Sequence, residues 1–215
     1  MCAHAAPPLA RGLDPAPIAA SVAEAPPAAC VPTELRVTRA QLNVLAGESA
    51  RFSGTLEEAG QRAPAGRLLA LQRLISGTWH TLASARTGAR GRFSLRYTSP
   101  RTGSEFLRIA FRGDEITRSS TRNIGRLEVY RLAGASWYGG GGSLACGGWL
   151  TSSTLGVANK TLPCGTVVTL RYDGRTLRVP VIDRGPYVEG REFDLTEATK
   201  RELGFGSTGD VMTTS

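Results

Sequence analysis

The sequence predicts an all-β protein: an antiparallel β-sandwich followed by a compact, mostly-β barrel with one short helix. Three observations predict it. Residues 34–130 are a series of short runs with period-two alternation, broken by turn signals. From Ala135 the texture changes to dense glycine, short apolar strands and a single helical pattern. Ahead of both, residues 1–32 hold 11 Ala and 7 Pro with almost no large apolar side chains. That segment buries too little surface to offset its ordering entropy, so it is expected to be disordered and partly polyproline-like. The expected domains are therefore 1–32, 33–132 and 133–215.

In the first β domain the strand candidates are Ala50–Gly54, Leu68–Gln72, Trp79–Leu82, Arg92–Tyr97 and Phe106–Phe111. Turns are signalled at Ala46-Gly47, Pro64-Ala65-Gly66, Ser76-Gly77, Ala89-Arg90-Gly91, Pro100 and Gly113-Asp114. His80 lies in a strand run with no cysteine or carboxylate at ligand or triad spacing, and reads as a strand residue. The texture, including the Gly91-Arg92-Phe93-Ser94-Leu95-Arg96-Tyr97 strand, resembles a bacterial immunoglobulin-like domain, which implies spacing or adhesion.

In the second domain, Thr166–Tyr172 and Arg175–Val179 form strands around the Asp173-Gly174 hairpin turn. The helix is expected from about Thr196 to Leu203, with Asp194 or Thr196 as its cap and Gly204 as its stop. A further apolar run, Leu177 to Ile182, delivers Asp183 to the turn forced by Gly185-Pro186.

Composition narrows the function. No apolar run approaches the ~18 residues that cross a bilayer. The net charge is +8, and residues 1–134 carry all of it, with 18 Lys+Arg against 10 Asp+Glu. Such a surface attracts polyanions such as nucleic acid, anionic cell-wall polymers or membrane surfaces. The arginines are scattered without aromatic interleaving, so nucleic acid is not expected as a partner. The cysteines are Cys2, Cys30, Cys146 and Cys164; no C-x-x-C occurs, and the histidines are His4 and His80. No metal-ligand cluster is apparent, so no cofactor is expected. Cys146 and Cys164 lie beside glycines in one compact segment, where a disulfide or two buried free thiols are both possible; a disulfide implies an oxidising compartment. Cys2 and Cys30 could also pair. No basic start followed by an apolar core of a secretion signal is visible.

Several ordered motifs then converge: Ala135-Ser136-Trp137-Tyr138-Gly139, Ala145-Cys146-Gly147, Leu155 to Thr166, Val181-Ile182-Asp183-Arg184-Gly185-Pro186-Tyr187, and Arg191 to Thr196. Together they resemble the double-psi β-barrel domain of the rare lipoprotein A family, in its actinobacterial two-cysteine branch. The resemblance implies a six-stranded double-psi barrel, a secreted or envelope-bound protein, glycan strands of peptidoglycan as partner, and a Cys146–Cys164 disulfide. Active members carry a histidine in an A-H-K-T-L-P-x-G-T motif and an aspartate in D-R-G-P, both implicated in lytic transglycosylation. The aspartate position here is Asp183; the histidine position is Asn159.

Lytic transglycosylation can run on one acid–base group, because the substrate's own C6 hydroxyl is the nucleophile. Asp183 is the candidate, against a structural reading in which it pairs with Arg184 or caps the turn. Asn159 cannot exchange protons near neutrality, but could hold a sugar hydroxyl or orient the acid. Asp194 is either a helix-entry cap or a substrate contact. Trp137, Tyr138 and Tyr187 could stack on sugar rings, although the strand neighbours Trp137 and Tyr138 point to opposite faces. Lys160 and Arg184 could meet acidic groups of the glycan or its peptide. Three functions follow: a lytic transglycosylase, a non-catalytic expansin-like module that binds or loosens the wall, and a protein-interaction domain that contacts other cell-wall enzymes.

Overall fold

The computed structural model describes residues 30–215. The expectation of disorder for residues 1–32 lies outside these except at its end, where Val31 makes an isolated bridge to Thr117. The Cys2–Cys30 pairing also lies outside them, because Cys2 is not described. Among the described residues there is one α-helix, and nearly all other regular structure is strand.

Packing separates two compact units. The first gathers the described residues up to Ala40, Arg51–Arg96 and Leu107–Gly125; the second gathers Gln41–Ala50, Tyr97–Phe106 and Arg126–Ser215. Eight strands precede the barrel proper and a ninth runs into it: β1 (Thr33–Ala40), β2 (Asn43–Leu45), β3 (Ser49–Glu58), β4 (Gln61–Arg62), β5 (Leu68–Ile75), β6 (Thr78–Arg86), β7 (Arg92–Thr98), β8 (Gly103–Phe111) and β9 (Ser120–Tyr138). In the first unit β1 and β4 pair with β3 antiparallel, and β5 pairs antiparallel with both β6 and β8. Alternation works as the sequence implies: Phe52, Leu56, Leu69, Leu71, Leu107 and Ile109 are buried while their strand neighbours are more exposed.

The long β9 runs through residues 132 and 133 without a break. From Arg131 onward it is a stave of the barrel. The other elements are β10 (Gly142–Ser143), β11 (Trp149–Leu150), β12 (Val157–Ala158), β13 (Val167–Tyr172), β14 (Arg175–Asp183), β15 (Phe193–Thr196), α1 (Glu197–Leu203) and β16 (Gly209–Thr213). Pairings run β9–β15–β12–β14–β13–β16 and back to β9, which closes a ring of six strands. Two of the six pairings, β12–β14 and β9–β15, are parallel. A closed ring leaves no strand edge unpaired, and this suits strands as short as β12 and β15. Ala135, Val157, Val168, Leu170, Val179, Val181, Phe193 and Leu195 fill its interior.

The local chemistry behind these elements is as read. Asp173 and Gly174 both take positive φ (45° and 80°), as a two-residue hairpin turn requires. The Thr196 hydroxyl accepts from the Thr199 amide at 3.2 Å and caps α1, and Gly204 ends the helix in a left-handed conformation (φ 70°). Asp194 is therefore not the cap. The Gly156 backbone binds the Thr199 hydroxyl through both its amide and its carbonyl, at 2.9 Å each. A Cβ on Gly156 would sit 2.3 Å from the Ile182 side chain, so only glycine fits that approach.

Candidate functional site

The site is built from one row of residues across four staves of the barrel. Ala158 on β12 is opposite Asp183 on β14 and Asp194 on β15, and Asp194 is opposite Ser136 on β9. In the adjacent row Val181, Val157 and Leu195 belong to the core, and Trp137 at its end is exposed. Strict alternation along β14 would put Asp183 on the same side as the buried Val181. The register instead shifts between the Val157 and Ala158 pairings, leaving Ile182 unpaired in the ladder. This bulge re-aims Asp183 into the row with Ala158 and Asp194. Ala158 puts only a methyl group between the two carboxylates.

Asp183 is half-buried and rigidly held. Its Oδ1 accepts the amides of Ala145 and Arg184, each at 2.9 Å. Its carbonyl accepts the Asn159 amide at 3.1 Å. Oδ2 accepts no backbone amide among the described residues, and the Tyr138 hydroxyl lies beside the carboxylate. The ion pair with Arg184, one of the structural readings, is not formed. The Arg184 guanidinium donates through Nη1 to the carbonyls of Asn159 and Leu162, both at 3.0 Å, and through Nη2 to Cys164 Sγ at 3.1 Å. Arg184 thus stitches the 159–164 loop to the end of β14, and its terminal nitrogens face protein atoms.

Asn159 lies below the surface, engaged with its own loop. It was expected to hold a sugar hydroxyl or orient the acid. It is 2% exposed. Its Oδ1 accepts the amides of Thr161 (3.0 Å) and Leu162 (2.8 Å), and its Nδ2 donates to the Glu192 carbonyl at 3.2 Å. These bonds make an Asx turn that shapes its own loop. They commit both ends of the amide to backbone groups.

The Cys146–Cys164 disulfide is present, with Cα atoms 5.6 Å apart. It ties the 159–165 loop to the segment whose Ala145 and Cys146 amides bind Asp183 Oδ1 and the Ile182 carbonyl. Replacing both cysteines by serine is expected to cost about 3 kcal/mol for a loop of this length. A urea titration of the variant against the oxidised protein measures it; an unchanged midpoint contradicts it.

The aromatic candidates divide. Tyr138 follows Ser136 by two on β9 and so shares its face. Its phenol oxygen is buried, faces the Asp183 carboxylate and makes no hydrogen bond of acceptable geometry. Burial, then the negative charge and approach of Asp183, then the charge of Asp194, push the phenol well above the ordinary tyrosine range. Trp137 points the other way, and the Lys200 ammonium lies 3.8 Å from its ring centroid. Tyr187 is 81% exposed in the loop after Asp183. Lys160 is exposed next to Asn159. The partner that the sequence reading missed is Ser136, whose hydroxyl donates to Asp194 Oδ1. Nothing short of the β9–β15 register could have found it.

The raised Tyr138 pKa has a consequence for stability. A group whose folded pKa exceeds its unfolded value stabilises the fold below the unfolded pKa, and that contribution is lost as pH rises through the folded one. The barrel is therefore expected to lose stability above about pH 10, the ordinary tyrosine value. Tyr138→Phe should flatten that alkaline slope in chemical denaturation measured across pH. An identical slope in the variant would show that Tyr138 is not its source.

Residues 132–213 match the family model described as lytic transglycolase. Residues 132–213 belong to the RlpA-like double-psi β-barrel family. A probable endolytic peptidoglycan transglycosylase RlpA of Aquifex aeolicus is 31% identical over 136 residues, which cover 57% of this chain and 60% of that protein. The endolytic peptidoglycan transglycosylase RlpA of Pseudomonas aeruginosa strain UCBPP-PA14 is 37% identical over 87 residues, 38% of this chain and 26% of that one. The chain thus spans 60% of the first relative's length and about a quarter of the second's. Among solved structures, the Streptomyces papain inhibitor is 27% identical, with a TM-score of 0.33, over 39% of this chain and 90% of its own. Every site residue above lies in the matched segment, and the six-strand ring is its core.

Proposed function

We propose that the protein acts on peptidoglycan outside the cytoplasm as a lytic transglycosylase, with Asp183 as its single general acid–base. One observation carries the reading: Asp183 is fixed through Oδ1 by two backbone amides while Oδ2 remains available, with no cation bound to it. A carboxyl group held this way is oriented without being neutralised by a partner. The names of the relatives, endolytic peptidoglycan transglycosylases, supply the substrate class.

In the reaction the protonated Asp183 gives its proton to the glycosidic oxygen as the bond to the anomeric carbon breaks. The muramic C6 hydroxyl attacks that carbon, and the Asp183 carboxylate takes the hydroxyl's proton. The products are a 1,6-anhydro end and a free hydroxyl end, and Asp183 is again protonated. Asp194 contributes negative charge near the oxocarbenium-like centre, and Ser136 holds its orientation. The buried Tyr138 hydroxyl supplies a donor on the same face. The disulfide fits an envelope or secreted setting, and the β domain ahead of the barrel serves as a spacer.

A second reading rests on Asn159. Its side chain is committed to backbone groups, so no proton carrier occupies the family's histidine position. That favours a module that binds glycan and loosens the wall without cutting it. Mass spectrometry of glycan strands incubated with the protein separates the two. Anhydro-muramic ends that disappear with Asp183→Asn support cleavage; retention on glycan with no new ends supports the binder.

A further inference from the structure

The first unit carries 14 arginines and no lysine against five carboxylates among its described residues. Its β6–β5–β8 sheet has a hollow of about 510 Å³ on one face. The register explains the hollow. Ser84, Ala70 and Ala110 stand opposite one another on the three strands, so a row of small side chains forms a floor. On one side the next row is Arg86 opposite Leu68, with Arg112 following Phe111, the partner of Leu69. On the other side stand Thr81, Gln72 and Arg108.

The arginines are not equivalent. Arg67 is held by Glu58 and Asp114. Arg108 donates to Gln72 at 2.8 Å and stacks over Trp79 at 4.2 Å. Arg86 binds only the Gly66 carbonyl, through one Nη1 bond at 2.6 Å, and Arg112 is exposed without an ion pair among the described residues. The backbone positions of Arg86 and Arg112 therefore stand two strand spacings, about 10 Å, apart along one side of the trough.

We propose that this trough binds a linear polymer carrying phosphodiester charges on a polyol backbone. Guanidinium groups match phosphate oxygens through paired N–H donors. The floor of Ser84, Ala70 and Ala110 admits a thin chain, and the Ser84 and Thr81 hydroxyls face the same hollow. Nucleic acid fits less well, because bases need an open aromatic face, and Trp79 is covered by Arg108.

The test uses the full chain carrying Asp183→Asn, so that cleavage plays no part, and reads the affinity for fluorescent poly(glycerol phosphate). Arg86→Ala with Arg112→Ala should weaken binding about tenfold or more. Arg51→Ala with Arg92→Ala removes the same charge from exposed positions on β3 and β7, and should weaken it about threefold at most. Ala70→Leu fills the floor without changing charge and should weaken binding as the groove double variant does. If Ala70→Leu does not fold, Ser84→Leu obstructs the same row at a more exposed place. Equal losses from both double variants together with a silent filled floor would mean diffuse attraction and overturn the proposal. Tighter binding to oligothymidine than to poly(glycerol phosphate) would also overturn it.

Discussion

Asp183→Asn is expected to lower the release of 1,6-anhydro-muramic ends by about 10²–10⁴-fold, the usual loss on removing a general acid–base. The substitution is nearly isosteric. Its side-chain oxygen can still accept the amides of Ala145 and Arg184, so the loop that carries Cys146 should stay in place. The thermal midpoint should therefore move little, and the loss should appear in turnover and not in folding. Asp183→Ala removes the acceptor as well. It leaves two amides without their partner and should add a stability cost of about 1–3 kcal/mol on top of the lost activity. Equal activity in wild type and Asp183→Asn, with anhydro ends still formed, would remove Asp183 from the chemistry.

Asn159→Ala is expected to destabilise the barrel by about 2–4 kcal/mol, because it breaks three hydrogen bonds at a 2% exposed position and strands the Thr161 and Leu162 amides. The damage should spread, since the carbonyls of Asn159 and Leu162 are the acceptors that fix Arg184. Asn159→Asp keeps the oxygen that organises the turn but buries a carboxylate and sets its second oxygen against the Glu192 carbonyl. Its cost at neutral pH should therefore be at least as large. Urea denaturation of the two variants checks both statements. A near-neutral Asn159→Ala would mean that the turn does not need its side chain, and would return Asn159 to the pool of residues that face substrate.

Much of the fold was legible along the chain because local rules set it. The Asp173-Gly174 hairpin, the α1 limits with Gly204, and the in–out alternation of β3, β5 and β8 follow from propensities and period-two burial. Asp183 was legible too, since a strand run ends there and a turn begins. The Asx turn at Asn159 was not legible, because a buried Asx turn and an exposed amide have the same sequence signature. The Asp194 role was ambiguous for a similar reason: two candidate caps stood two residues apart, and only the hydroxyl of Thr196 reaches the Thr199 amide.

By itself, the sequence determined the strand-rich class, the separate texture of the two β regions, the arginine excess of the first, and the carboxylate placed at a strand end. It could do so because each depends on neighbours a few residues away. The tertiary structure decided which carboxylate stands beside which. The insertion of β12 between β14, its parallel partner, and β15, its antiparallel one, and the bulge at Ile182 set Asp183, Ala158, Asp194 and Ser136 in one row. The pairing of β6, β5 and β8 likewise set Ser84, Ala70 and Ala110 side by side as a trough. Register between distant segments is a balance of packing across the whole ring or sheet, and no local run of residues encodes it.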